Sequence, residues 1–195
     1  MIKGKMLFAI VNKGEAGKVM DAIRSRGAWG GTVLNAHGTA PTSILSMLGL
    51  GDSKKEILLS MLNDRIEKDC VDSLKGIKCK GVVALLGEKG ENDMKEDLVM
   101  IQVICENGYA DDIMDAARKQ GAKGGTVIKG HGTARADDTK FFGYPITAEK
   151  EVLVIVEEKT KAEKIIDAID SLPFLKQKGK AVIFSLPVSH FSTIG

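Results

Sequence analysis

The sequence predicts an α+β protein made of two copies of one domain, each with the order strand, helix, strand, strand, helix, strand. The first observation behind this prediction is an internal repeat. Residues 27–40, GAWGGTVLNAHGTA, and residues 121–134, GAKGGTVIKGHGTA, are identical at 10 of 14 positions without a gap. The second observation is periodicity, because apolar runs of strand length alternate with segments of helical spacing.

The similarity extends well beyond the repeated motif. Upstream, LFAIVNKGEAGKVMDAIRSRG aligns with IQVICENGYADDIMDAARKQG, and downstream KEILLSML aligns with EKEVLVIV. The chain therefore divides into a first copy at residues 1–88 and a second copy at residues 97–195. The polar, glycine-containing stretch GEKGENDMKED between them predicts a linker.

Each copy begins with a strand and a helix. The runs KMLFAIV and LVMIQVIC are continuously apolar, as buried strands are. Apolar residues at helical spacing follow in both copies: Ala16, Val19, Met20 and Ile23 in the first, and Ala110, Ile113, Met114 and Ala117 in the second. Basic residues and then glycine, in RSRG and RKQG, predict where these helices end.

The remaining elements complete a known arrangement. GTVL and GTVI predict second strands, EILLSML and EVLVIVEE third strands, and GVVALL and KAVIFSL last strands, with a helix before each last strand. This order is typical of the ferredoxin-like fold, in which two helices cover one face of an antiparallel sheet. We therefore expect two tandem ferredoxin-like domains. Since the other sheet faces would be uncovered in such small domains, we also expect copies to associate.

The composition excludes several classes of protein. With 28 basic and 26 acidic residues, the chain shows no charge excess that would indicate a nucleic-acid or membrane-surface binder. No apolar run reaches the length of about 18 residues that predicts a membrane span, and the N-terminus lacks the pattern of a signal peptide. Three cysteines, an odd number, do not indicate a disulfide framework, so we expect a reduced, cytoplasmic protein.

Both copies, residues 1–88 and 97–195, resemble the nitrogen regulatory P-II family, and the resemblance is stronger in the second. The resemblance is carried by GAKGGTVIKGHGTARADDTKFFGYPITAEKEVLVIV, which ends in the third strand, and by KGKAVIFSLPV at the last strand. It implies a non-catalytic signalling protein without a covalent cofactor. Such proteins form trimers, bind ATP or ADP in clefts between domains, and dock a long loop onto proteins of nitrogen metabolism.

Several residues become candidates for binding a nucleotide or another small anion. Backbone N–H groups of the glycine-rich segment at Gly130, His131 and Gly132 could form an anion nest, to which Lys180 would add charge. The first copy has Ala36 at the position of Gly130. With the positions implied by the family, the candidates are Thr32, Gly38, Thr126, Gly130, His131, Gly132, Gly179 and Lys180.

Structural alternatives exist for parts of these motifs. Gly30, Gly31, Gly124 and Gly125 could simply form a turn between helix and strand, as glycine does where φ must be positive. The equivalent histidines, His37 and His131, could have a structural role at the base of each loop. For Trp29, which has no aromatic equivalent in the second copy, we expect an interface or a place in the edge of the core.

Two long loops, residues 37–56 and 131–150, are the candidate surfaces for docking a partner. Connections of this length in compact domains are usually functional or mobile. Both loops carry apolar residues that would be costly to leave in water. The predicted docking residues are Leu45, Leu48, Phe141, Phe142 and Tyr144.

The preferred interpretation is a P-II-like regulatory protein that binds a small anionic effector and acts on a target protein, as a trimer of two-domain chains. The alternative is a metal-binding protein similar to the CutA-type cation-tolerance family, which shares the fold. That alternative predicts that His37 and His131 converge with a cysteine or a carboxylate. An enzyme is not expected, because the sequence shows no nucleophile with a base and an orienting group.

Overall fold

A computed structural model describes residues 4–39, 53–87, 97–131, 140–141, 144–145, 149–175 and 181–194. The first half of the chain contains β1 (Gly4–Asn12), α1 (Ala16–Arg24), β2 (Thr32–Gly38), β3 (Ser53–Asn63), α2 (Glu67–Leu74) and β4 (Gly81–Leu86). The second half contains β5 (Leu98–Glu106), α3 (Ala110–Lys119), β6 (Thr126–His131), β7 (Lys140–Phe141), β8 (Tyr144–Pro145), β9 (Glu149–Glu158), α4 (Lys159–Asp170), a 3-10 turn (Pro173–Leu175) and β10 (Ala181–Ile194). Apart from the short β7–β8 hairpin and the 3-10 turn, both halves follow the predicted order of strands and helices.

The eight long strands form a single closed barrel. Their order around the barrel is β1-β3-β2-β6-β9-β5-β10-β4, and every neighbouring pair is antiparallel. The prediction of two ferredoxin-like domains with separate open sheets is therefore wrong. The order of elements along the chain does not specify which strand edges meet, and here the edges of the two halves pair with each other. The predicted boundaries at 1–88 and 97–195 stay a prediction.

Strands of the barrel bury side chains on both of their faces. On the outside, α1 and α2 pack over residues such as Leu7 and Leu58, while α3 and α4 pack over residues such as Ile101 and Leu153. A third cluster contains residues from all eight long strands and none from a helix, and it fills the interior of the barrel. Its fully buried or nearly buried members are Phe8, Ile57, Ala84, Leu86, Met100, Val154 and Val188.

The sheet faces that we expected to be uncovered, those without helices, are buried in the interior of the barrel. Those faces therefore do not require a second chain, and the predicted trimer stays a prediction that must rest on other surfaces. In the part of the chain that the structure describes, no helix is long and apolar enough to cross a membrane.

Two seams join the halves. At the first seam β2 pairs with β6 over only three residue pairs, from Ala36↔Ile128 to Gly38↔Thr126. At the second seam β10 pairs with β5 along its first part and with β4 along its second part, and its register shifts between Val188 and His190.

Glycines end the first helix of each half. Gly27 and Gly121 have φ of +97° and +96°, which confirms the predicted helix ends.

The second glycine of each GG pair is required for a different reason, because neither has a positive φ. A Cβ atom on Gly125 would lie 2.8 Å from Leu153 Cδ1 and 2.9 Å from the Val154 carbonyl oxygen. At Gly31 the corresponding distances to a leucine side chain and a backbone oxygen of β3 are both 2.7 Å. Close approach to the neighbouring strand, rather than turn conformation, therefore explains these two glycines.

Carboxylates from neighbouring strands bind the first N–H groups of α1 and α3, for which no side-chain N-cap is present. Glu151 Oε2 on β9 accepts hydrogen bonds from the N–H groups of Gly108, at 3.0 Å, and Ala110, at 3.2 Å. Glu56 Oε2 on β3 accepts one from Ala16 N–H, at 3.1 Å. A negative charge at a helix N-terminus is favourable, so each strand fixes the start of the helix that covers it.

Replacing Gly125 with alanine should destabilise the protein. The new methyl group would contact a backbone oxygen that cannot move without displacing β9, so we expect a loss of about 1–3 kcal/mol in the free energy of unfolding. Gly130→Ala is the matched control, because no atom lies within 4 Å of the position that its Cβ would take and its φ is not positive. Urea unfolding of both variants would measure the difference, and equal stabilities would contradict this account of Gly125.

Candidate functional site

A depression of about 610 Å³ lies where the chain leaves β6 and enters β9. Within it, Gly130 lies opposite Lys150 and His131 lies opposite Glu149 in the β6–β9 pairing. The depression is lined by Asn107, Lys129, Gly130, His131, Glu149 and Lys150. The structure therefore places two of the predicted anion-binding residues, Gly130 and His131, beside two lysines that the sequence analysis did not select.

Asn107, on one side of the depression, forms two hydrogen bonds with Glu149. Its backbone N–H donates a hydrogen bond to the Glu149 carbonyl oxygen at 3.2 Å, and its Nδ2 donates to Glu149 Oε2 at 3.0 Å. These bonds tie the start of β9 to the turn between β5 and α3. The N-terminus of α3 itself is occupied by Glu151, so the helix does not offer these N–H groups to a ligand.

The cationic groups of the site come from the lysines. Neither Lys129 nor Lys150 forms an ion pair with another described residue, and the side chain of Lys129 is exposed. Lys129 and His131 lie on one face of β6, whereas Gly130 and its partner Lys150 lie on the other face. Two lysines and one carboxylate, that of Glu149, line the depression. Glu106 and Glu151 lie opposite Lys150 and Lys129 in the neighbouring strand pairs.

Gly130 leaves the space between these groups open. Nothing lies within 4 Å of the position that its Cβ would take, and its φ is not positive. The glycine is therefore not required by the backbone at this point. Its counterpart Ala36 is in a different environment, because it pairs with Ile128 at the seam between β2 and β6.

The other predicted binding residues are dispersed. Gly38 and Thr126 face each other at the first seam, where Thr126 is buried. Thr32 lies in a second depression of about 630 Å³, together with Trp29.

Several predicted residues lie outside the described residues, namely Gly132, Gly179, Lys180, Leu45, Leu48 and Phe142. Phe141 and Tyr144 belong to the β7–β8 hairpin, but their side chains are outside the described part; all these assignments stay predictions.

Trp29 is not part of the core. Its side chain is 95% exposed at the rim of the second depression, which excludes the predicted place at the edge of the core. Its role at an interface stays a prediction.

A set of hydrogen bonds made by Thr39 with Gly125 and Arg118 connects the two halves, and it was not predicted from the sequence. We call this set the clasp. Thr39, which ends the HGT motif of the first half, holds Gly125, which belongs to the GG motif of the second. The Thr39 hydroxyl donates to the Gly125 carbonyl oxygen at 3.0 Å and accepts from the Gly125 N–H at 2.8 Å, while the Thr39 N–H donates to the same carbonyl at 3.0 Å. Arg118 of α3 donates to the Thr39 carbonyl oxygen. Both partners lie within the repeated motif, but the repeat alone does not show that they meet across the halves.

The histidines and cysteines do not assemble into a metal site in the part of the chain that is described. No group of three or more histidine, cysteine, aspartate or glutamate side chains there could hold a metal ion. Metal analysis of the purified protein remains the test of the metal-binding alternative.

All three cysteines are buried free thiols. Burial raises the pKa of Cys70 and Cys79, and it raises the pKa of Cys105 to about 11. The reactive thiolate form is therefore disfavoured at neutral pH.

Comparisons with known proteins include a match to a family model. Residues 98–194 match the model of a family described as Nitrogen regulatory protein P-II, which confirms the resemblance of the second half. No curated protein matches the chain at a significant level. Among solved structures, the chain is similar to an unknown protein from Galdieria sulphuraria, with 12% identity and a TM-score of 0.34 over 95% of this chain and 98% of that chain. This structural likeness is too low to support an argument.

Replacing Thr39 with valine should weaken the first seam. The variant keeps the shape of the side chain but leaves the Gly125 N–H without its acceptor, which should cost about 1–3 kcal/mol in the free energy of unfolding. Thr39→Ser keeps the hydroxyl group and should retain most of the stability. Urea unfolding of the three proteins would decide, and a valine variant as stable as the serine variant would show that the clasp contributes nothing.

The buried thiols should resist chemical modification. At pH 8 a thiol with a raised pKa is mostly protonated, so Ellman's reagent should react slowly with the folded protein and with three thiols after unfolding in urea. Ser25→Cys adds an exposed thiol as a positive control. Rapid modification of a native cysteine in the folded chain would contradict the burial of that residue.

Proposed function

Because residues 98–194 match the nitrogen regulatory protein P-II family, we propose that this chain is a non-catalytic regulatory protein. It binds a small anionic effector, with ATP or ADP as the first candidates, in the depression beside Gly130. It acts on a partner protein through the long loops at residues 37–56 and 131–150, in the regulation of nitrogen metabolism in the cytoplasm.

The observation that carries the proposal is the position of the lysines. Lys129 and His131 are among the last residues of β6, and Lys150 is the second residue of β9. An anion bound in the depression therefore lies next to both ends of the second long loop. Phosphate oxygens accept charge-assisted hydrogen bonds from lysine, and such bonds are stronger than those between neutral groups.

The same position explains how binding would be transmitted. A ligand shifts a conformational equilibrium only if it interacts differently with the two states. The β6–β9 pairing already joins the two ends of the loop at His131 and Glu149. An anion bound beside this pair favours the states in which the pairing is kept. The order of the loop would then depend on the effector, and a partner that docks on the loop would respond to it.

The first long loop, residues 37–56, is attached to a different part of the structure. Thr39, the third residue of this loop, is fixed to Gly125 and Arg118 of the second half. Both loops are thus attached to the turn and strand that lead into the depression, since Gly125 directly precedes β6. This arrangement supports a joint response of the two loops to one effector.

Removing the two lysines should weaken effector binding. We expect the double variant Lys129→Gln/Lys150→Gln to bind ATP or ADP at least about tenfold more weakly, because each lysine supplies a charge-assisted bond. The measurement is calorimetry with ATP, ADP and AMP. Lys159→Gln/Lys164→Gln makes the same charge change at exposed positions of α4 and should leave the affinity nearly unchanged.

Two outcomes would contradict the proposal. The first is the absence of binding by all three nucleotides at millimolar concentration. The second is an equal loss of affinity in both double variants, which would show a general charge effect instead of a site. Turnover of ATP that depends on Lys150 would contradict the non-catalytic part.

A further inference from the structure

A group of lysines surrounds the start of α1. Four segments meet there, namely the end of β1, the first turn of α1, the start of β3 and the residues just before β4. We call the lysines of these segments the basic patch: Lys13, Lys18, Lys54, Lys55, Lys78 and Lys80. All of them are exposed except Lys55, which is partly buried. The patch belongs to the first half and shares no residue with the depression beside Gly130.

The ends of β1 and β3 supply three of these lysines. Lys13 N–H donates a hydrogen bond to the Lys54 carbonyl oxygen at 3.2 Å. Lys55 lies opposite Asn12 in the strand pairing, and its Nζ donates to Asn12 Oδ1 at 2.8 Å. The pairing of the two strands therefore holds these lysines beside each other.

The first turn of α1 and the residues before β4 supply the other three. Lys18 Nζ donates to the Lys78 carbonyl oxygen at 2.9 Å, and Lys80 N–H donates to Glu15 Oε2 at 3.3 Å. Since β4 follows directly and pairs with the end of β1, these lysines lie next to those of the two strands.

The patch carries an excess of positive charge. Its two carboxylates are already engaged, because Glu15 forms an ion pair with Lys18 at 3.0 Å and Glu56 accepts a hydrogen bond from the first N–H of α1. The other five lysines form no ion pair with a described residue. Residues 40–52, which join β2 to β3 and lie outside the described residues, contain a single acidic residue, Asp52.

The fold does not require these lysines, because the second half has other residues at the same positions. Asn107 N–H donates to the Glu149 carbonyl oxygen, as Lys13 N–H donates to that of Lys54. A neutral residue and an acidic residue thus replace two lysines in the same backbone arrangement. In addition, the first turn of α1 contains no acidic residue, whereas that of α3 contains two. The positive charge is therefore a property of the first half that its fold does not explain.

The chemistry of the patch favours an acidic protein segment over a nucleic acid or a membrane. Residues 12–18, 53–56 and 77–80 contain no arginine and no aromatic residue, the types that provide bidentate contacts to phosphate and stacking on bases. Their apolar side chains are buried or partly buried, so none is exposed for insertion into a membrane. Lysine acts as a point charge, which can pair with carboxylates without a fixed geometry.

We propose that the basic patch binds an acidic segment of the partner protein on which this chain acts. Lys54 and Lys55 belong to the first long loop, residues 37–56, so a partner that docks on this loop also contacts the patch. The inference rests on the proposed function, because it supplies the chemistry of the partner. Complementary charges of this kind accelerate association and discriminate against partners without the acidic segment.

The test uses a fluorescein-labelled oligoglutamate peptide as the probe for the acidic segment. Fluorescence anisotropy at low salt should show binding to the full chain, and added salt should weaken it. Lys13→Asn/Lys54→Glu introduces the residues of the second half and should raise the dissociation constant by at least about tenfold. Lys159→Asn/Lys164→Glu makes the same change of charge at exposed positions of α4 and should leave the dissociation constant nearly unchanged.

A second variant protects the test against misfolding of the first. Lys78→Gln/Lys80→Gln removes two exposed lysines outside the strands and should also weaken peptide binding. Circular dichroism and thermal unfolding would confirm that the variants fold.

Three results would overturn the proposal. The peptide could fail to bind, it could lose equal affinity in the patch variants and in the α4 control, or it could bind more weakly than oligouridylate RNA or vesicles containing phosphatidylserine. Calorimetry with ATP and ADP distinguishes this proposal from the effector site, because Lys13→Asn/Lys54→Glu should keep the nucleotide affinity of the native chain. If the native chain binds the peptide at the patch but binds no nucleotide, the effector site is contradicted and the docking surface is supported.

Discussion

The structure depends on the burial of two apolar faces on each half of the sheet. Adjacent residues of one strand, such as Leu7 and Phe8 of β1, are both buried although they point to opposite faces. Helices cover only the outer face. The inner face must therefore be covered by the other half, and the hydrophobic effect favours closing the strands into a barrel around that shared interior. The seams and the clasp follow from how this closure is achieved.

Closure gives two similar sequences different surroundings. Thr126 and Val127 are buried at the start of β6, where the end of β2 lies against them, whereas Thr32 is exposed and Val33 is half-exposed. Only the second half combines Gly130 with a free depression and two lysines, because its counterpart Ala36 is engaged at the seam. The function proposed for this chain rests on that difference. A repeated motif therefore supports the barrel in one half and forms the entrance of a candidate site in the other.

The candidate site could be predicted from the sequence only in part. The motif at Gly130 and His131 marks the end of β6 that borders the depression, because glycine-rich turns and histidine at the base of a long loop are visible in the sequence. Lys129 and Lys150 were missed because nothing in their spacing distinguishes them from other surface lysines; they become neighbours only through the register of β6 and β9. Thr39 was missed for a similar reason, since its partner Gly125 is 86 residues away.

The sequence by itself determined the order of strands and helices and the ends of the first helices, because these depend on local periodicity and on glycine at Gly27 and Gly121. It also carried the motifs by which the second half matches the P-II family. Only the tertiary structure decided that the two sheets close into one barrel. Pairing between strand edges involves backbone groups that every residue has, so the choice of partner edge depends on which apolar faces must be buried together.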